Sequence, residues 1–110
     1  MIKIIFDHTI EQAYTLQMDL QEKAKVFGAL SDPLRLRLMT ALGAKGEICG
    51  KELALELDAS VALISHHTRI LEDAGLILRR RDGQFSRFSL NRARLCETFD
   101  AGMFPACADA

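Results

Sequence analysis

The chain has 110 residues, 49% of them hydrophobic and 26% charged, with a formal net charge of −1. That suffices for one domain with a modest core, which a partner subunit would enlarge. No apolar run approaches the roughly 18 residues of a membrane span, the apolar start M-I-K-I-I-F-D is far too short for a signal peptide, and the three cysteines, Cys49, Cys96 and Cys107, have no disulfide-scaffold spacing. The expectation is a cytoplasmic protein with free thiols and no membrane contact.

In chain order, residues 1–9 form an N-terminal arm. Apolar residues from Ile10 through Tyr14, Leu20, Ala24 and Phe27 to Leu30 recur at near-helical spacing, which predicts one amphipathic helix over 10–30. It is longer than a small domain needs, so part of its apolar face should meet a second subunit. Ser31 is expected as the N-cap of a second helix with Pro33 in its first turn; Leu34, Leu38, Ala41 and Leu42 form its buried stripe and Gly43 ends it. Lys51 to Leu57 is a short helix with Leu53, Ala54 and Leu57 inward, and Asp58-Ala59 is the tight turn into Ser60.

Ser60 is a good N-cap and Gly75 a good C′ residue, so a helix runs from Ser60 to Ala74. Ile64, His67, Thr68, Leu71 and Ala74 share its inward face; Ala62, Ser65, His66, Arg69 and Asp73 share the outward one. Leu76 to Arg81 and Phe85 to Leu90 alternate as two strands around an Asp82-Gly83 turn. After them, Asn91 caps a last helix from Arg92 to about Ala101, with Leu95, Cys96, Phe99 and Met103 as its apolar stripe.

The charge is segregated along this order. From Arg69 to Arg94 there are seven arginines against Glu72, Asp73 and Asp82, a net +4, and the remainder carries −5. A basic patch on an acidic body matters for nucleic acid more than the total does. The expected fold is mainly α with a β-hairpin wing, a winged helix-turn-helix of order α-α-α-α-β-β-α over 1–110, with 51–74 as the helix-turn-helix, 76–90 as the wing, and 10–30 with 91–101 as dimerisation helices. Its outward helix would enter a major groove, and its wing would grip flanking backbone. The expected DNA-binding residues are Ser60, Ala62, Ser65, His66 and Arg69 on the helix and Arg79, Arg80, Arg81 and Arg87 on the wing. Serine and histidine lie on one helix without a carboxylate-oriented base, and there is no glycine-rich phosphate loop, so the reading is not an enzyme.

Four blocks resemble a known family: A-L-S-D-P-L-R-L-R-L-M (29–39), E-I-C-G-K-E-L-A (47–54), I-S-H-H-T-R-I-L-E-D-A-G-L-I (64–77) and R-R-R-D-G-Q-F-S-R-F-S-L (79–90). Their order and spacing look like the ArsR/SmtB family of bacterial repressors, over about Ala24 to Phe99. The resemblance implies a homodimer that represses a double-stranded operator until an inducer weakens DNA binding. That inducer is commonly a metal or metalloid ion and sometimes an oxidant or sulfur species. Two departures stand out. Val61, Ala62 and Leu63 replace the polar start usual in the recognition helix, and Thr68 stands where leucine is usual.

The resemblance also bears on the inducer. The family's arsenic site resembles Glu-Leu-Cys-Val-Cys-Asp-Leu; here Glu47-Ile48-Cys49-Gly50-Lys51-Glu52-Leu53 keeps the first thiol and puts Lys51 in place of the second. The family's zinc site on the last helix needs histidine, and residues 95–110 contain none. His66 and His67 project about 100° apart on a helix, so they do not readily chelate one ion. Cys96 and Cys107 would be about 16 Å apart on a continuous helix, and either antiparallel pairing across a dimer or a chain reversal at Gly102 to Pro105 would unite them. With Cys49 as a third ligand they would suit arsenite or antimonite, an inducer rather than a resident cofactor. The alternatives are a thiol redox switch, or a winged-helix regulator or protein-interaction module with no metal inducer.

Overall fold

The structure, a computed structural model, describes residues 19–99. Within them lie α1 (Leu20–Leu30), α2 (Pro33–Lys45), β1 (Glu47–Cys49), α3 (Gly50–Leu57), α4 (Val61–Asp73), β2 (Ile77–Asp82), β3 (Phe85–Leu90) and α5 (Arg92–Thr98). The three strands form one antiparallel sheet of order β1-β3-β2.

Local chemistry sets each boundary, and several differ from the sequence expectation. The helix expected over 10–30 does not run through Asp19, whose backbone is extended. Its carboxylate accepts from the Glu22 N–H at 2.8 Å while Glu22 reaches back to the Asp19 N–H at 3.3 Å, a capping box that starts α1 at Leu20. Residues 10–18, like the 1–9 arm, lie outside the described residues. Asp32, not Ser31, caps α2: its carboxylate accepts from Leu34 and Arg35 N–H at 3.0 and 3.1 Å. Ser31 instead closes α1 by donating its hydroxyl to the Gly28 carbonyl at 2.7 Å. Gly43 does not end α2; the helix continues to Lys45, and Gly46 stops it with a φ of 87°.

The strand β1 was not anticipated at all. Three residues between two helices are too few for an alternation to show, and only pairing with β3 (Ile48 opposite Phe88) makes them a strand. The hairpin turn sits one residue later than expected, because Asp82 pairs with Phe85 and leaves Gly83-Gln84 as the loop. Gly83 takes the positive φ, 65°, that such a loop requires. The last helix ends at Thr98 with Phe99 as its C-cap, short of the expected Ala101; Met103 and Cys107 lie outside the described residues.

Behind α4 the core is continuous. Leu38 and Leu42 of α2, Leu53 of α3, Ile64 and Leu71 of α4, and Leu76 and Ile77 at the start of the wing are all buried, joined by Val26 of α1 and Phe88 of β3. Leu42→Ala should therefore cost about 2–5 kcal/mol, whereas Leu55→Ala, at a side chain 83% exposed on α3, should change stability by less than about 0.5 kcal/mol. Urea unfolding of the two variants checks the contrast.

Candidate nucleic-acid interface

Helix α4 is built to show one side and anchor the other. Ser60 caps it by accepting from the Leu63 N–H at 3.0 Å. Gly75, at φ 79°, turns the chain sharply after Ala74, with Leu76 N–H returning to the Leu71 carbonyl at 3.0 Å. An added Cβ at Gly75 would also stand 3.0 Å from Arg94 Nε, so a side chain there would displace the Arg94 guanidinium as well as strain the turn. Ile64, His67, Thr68 and Leu71 are buried, and Ser60, Ala62, Ser65, His66 and Arg69 are all exposed, as the helical spacing predicts.

The anchored side holds a contact that spacing alone does not reveal. Arg35 of α2 donates Nε–H to the Ala29 carbonyl at 2.6 Å and its Nη1 lies 3.0 Å from His67 Nδ1. A guanidinium only donates, so Nδ1 is the acceptor and the imidazole proton sits on Nε2. Burial pushes His67 below its usual pKa; Asp32 opposes this, while Arg35 and His66 add to it. The two histidine rings meet edge to face, 5.1 Å between centroids, but only His66 faces outward. Arginine and histidine 32 positions apart leave no local signal in a sequence.

The wing arginines are less open than the sequence suggests. Arg79 bonds Glu72 at 3.0 Å and lies 5.3 Å from the Phe88 ring centroid; Arg80 makes a two-pronged contact with Glu47 at 2.8 and 3.0 Å; Arg87 bonds Asp82 at 2.8 Å. Glu72 and Glu47 lie outside the hairpin, so the hairpin's own sequence does not reveal the partners of Arg79 and Arg80. Arg69 and Arg81 are exposed and make no ion pair among the described residues. Between α4 and the wing lies a cleft of about 200 Å³, floored by Ile64, Thr68 and Phe88 and edged by Lys51, Ser65 and Arg79.

The thiols are separated by element. Cys49 is half-buried at the end of β1, opposite Arg87 in register, and Cys96 is exposed on α5. Among the described residues no three His, Cys, Asp or Glu side chains form a metal-binding group, and no helix is long and apolar enough to cross a membrane.

Residues 32–78 match the family model described as "Bacterial regulatory protein, arsR family". Among curated proteins, 70 residues are 44% identical to the transcriptional repressor SmtB homolog of Synechocystis, covering 64% of this chain and 52% of that protein. Another 68-residue match is 38% identical to the cadmium resistance transcriptional regulatory protein CadC homolog of Staphylococcus aureus, covering 62% and 56%. The chain thus spans little more than half the length of these two relatives. Among solved structures, an ArsR-like transcriptional regulator from Rhodococcus sp. RHA1 superimposes with a TM-score of 0.71 at 30% identity, over 80% of this chain and 82% of that one.

The buried histidine has a pH consequence. An imidazole whose pKa is lowered by folding is neutral in the native state, so below its ordinary value of about 6.5 the unfolded chain binds more protons. Its stabilising contribution is complete above that value and is lost as pH falls from about 6.5 toward the lowered native pKa. Urea unfolding from pH 8 to pH 5 should show this decline, and His67→Gln should flatten it relative to the unaltered protein.

Proposed function

Because this chain belongs to the ArsR family of bacterial regulatory proteins, we propose that it is a homodimeric transcriptional repressor that binds double-stranded operator DNA. The observation that carries the reading is the exposed Ser60, Ala62, Ser65, His66 and Arg69 row on a capped helix beside a basic hairpin. Ser65, His66 and Arg69 supply hydrogen-bonding groups for base edges; Ala62 suits a thymine methyl. Lys51, at the edge of the cleft beside Ser65, and the exposed Arg81 of β2 suit phosphates.

What α1 and α5 leave uncovered supports the proposed dimer. Phe27 and Phe99 stack edge to face, 5.8 Å between centroids, yet remain 41% and 51% exposed, and Leu20 is 82% exposed. An aromatic pair half open to water on two neighbouring helices suits burial against its own copy. Such a dimer would set two α4 helices roughly 34 Å apart, one turn of DNA.

The inducer is proposed to be thiophilic, with arsenite or antimonite ahead of an oxidant. Cys96 is exposed on α5, on the same helix as Phe99. Two or three thiolates must converge to hold such an ion; Cys107, or Cys96 of a second copy, would supply the next. Cys49 belongs to the proposed set only as a third donor.

Fluorescence anisotropy of the reduced protein on the DNA upstream of its own gene tests this. Arg69→Ala should cost about 1–3 kcal/mol on the operator and relax its specificity, whereas Arg81→Ala should weaken operator and random DNA alike and lower the salt slope by about 0.9. Arsenite or antimonite should release the unaltered protein and fail to release Cys96→Ser. No preference for the upstream DNA at any salt concentration would refute the repressor reading; release of Cys96→Ser as readily as the unaltered protein would refute the thiol site alone.

A further inference from the structure

The outer face of the wing carries charges that folding does not account for. In the β2–β3 register Arg80 stands directly opposite Arg87, a like-charge pair that by itself weakens a sheet. Glu47 reaches from β1 across β3 to Arg80, and Asp82 takes Arg87 Nε. The hydrogen bond from Arg80 holds the Glu47 carboxyl below its usual range and Arg87 adds to this; the Asp82 carboxyl is lowered by Arg87 first, then Arg80. The four groups therefore behave as one alternating square. Both pairs are solvent-exposed, with side chains between 34% and 57% accessible. Exposed pairs contribute little to stability and exchange partners readily.

An arginine fork on a carboxylate has the same planar, two-pronged geometry as an arginine fork on a phosphate. We propose that Glu47 and Asp82 are internal counter-ions of the wing: they occupy Arg80 and Arg87 in the free protein, and DNA phosphates take both guanidiniums from them. This rests on the DNA-binding reading above. Arg81, between them in sequence and without an ion-pair partner among the described residues, undergoes no such exchange. The effect falls on sequence-independent affinity, which phosphate contacts dominate, and leaves the base-facing row of α4 untouched. The two carboxylates thus restrain binding to arbitrary DNA.

The test is a pair of double-mutant cycles on a random-sequence duplex, with anisotropy read across a salt series. Glu47→Gln should tighten binding several-fold and steepen the log–log salt slope by up to about 0.9. The same change made in an Arg80→Gln background should do far less, because no guanidinium is released. Asp82→Asn and Arg87→Gln form the second, independent cycle, which decides the matter if circular dichroism shows that Glu47→Gln disturbs the sheet. Affinity changes that simply multiply in the cycles would show that the acids act only through net charge and would overturn the proposal. Weaker binding by folded Glu47→Gln or Asp82→Asn protein would overturn it too. If neither the unaltered protein nor any variant shows salt-dependent affinity for any duplex, the DNA-binding reading itself falls, and this inference with it.

Discussion

The contact from Arg35 to His67 Nδ1 fixes how the rest of the molecule can be used. One guanidinium holds the last turn of α1 through the Ala29 carbonyl and the middle of α4 through the imidazole. Asp32, the cap of α2, in turn accepts from the Arg35 N–H. Three helices therefore meet at one polar cluster behind a largely apolar face. Ile64 and Leu71 drive the burial of that face, but greasy contacts tolerate sliding and rotation; a part-buried donor–acceptor pair at the edge of the core does so less. The outward direction of Ser65, His66 and Arg69 follows from this clamp as much as from helical periodicity.

The sequence showed most clearly what depends on neighbours within a turn or two. The inward and outward rows of α4 follow from 3.6-residue spacing, and its ends from Ser60 and Gly75, so both match the structure. The wing strands follow from alternation, although the turn lies one residue on because cross-strand pairing, rather than the Asp-Gly dipeptide, decides which residues are in the loop. At the start of α2 the boundary moves because two plausible caps stand side by side. Ser31 and Asp32 both fit an N-cap, and the carboxylate, which takes two N–H groups, prevails. Long-range pairs such as Arg35 with His67 and Glu47 with Arg80 had no local pattern to betray them.

Charge segregation in the sequence overstated the openness of the basic face. Seven arginines between 69 and 94 suggested a uniformly available patch, yet Arg79, Arg80 and Arg87 are each held by a carboxylate. Part of the acidic remainder is therefore not a separate body at all: Glu47 belongs spatially to the wing. The surface is better described as exposed cations, Arg69 and Arg81 with Lys51 and Arg92, set among ion pairs that solvent and salt can loosen.

Under the proposed reading a signal arriving at α5 must reach α4, and Asn91 provides the physical connection. Its backbone N–H donates to the Leu76 carbonyl at 2.9 Å, its side-chain amide donates to the Gly75 carbonyl at 2.9 Å, and its Oδ1 caps α5 through the Arg94 N–H at 3.3 Å. The start of α5 is thus fastened to the turn that ends α4. Arg94 packs against Gly75 at a spot where even a methyl group would crowd it, and its guanidinium also lies 3.9 Å from Glu22 of α1. Cys96 is two residues further along the same helix. A ligand that drew Cys96 toward another thiol would pull on a short helix with no slack at its N-terminus, and α4 would have to follow. A coupling free energy of only about 1–3 kcal/mol between the two sites would change DNA affinity roughly 5- to 150-fold, which such a linkage could supply without unfolding any element.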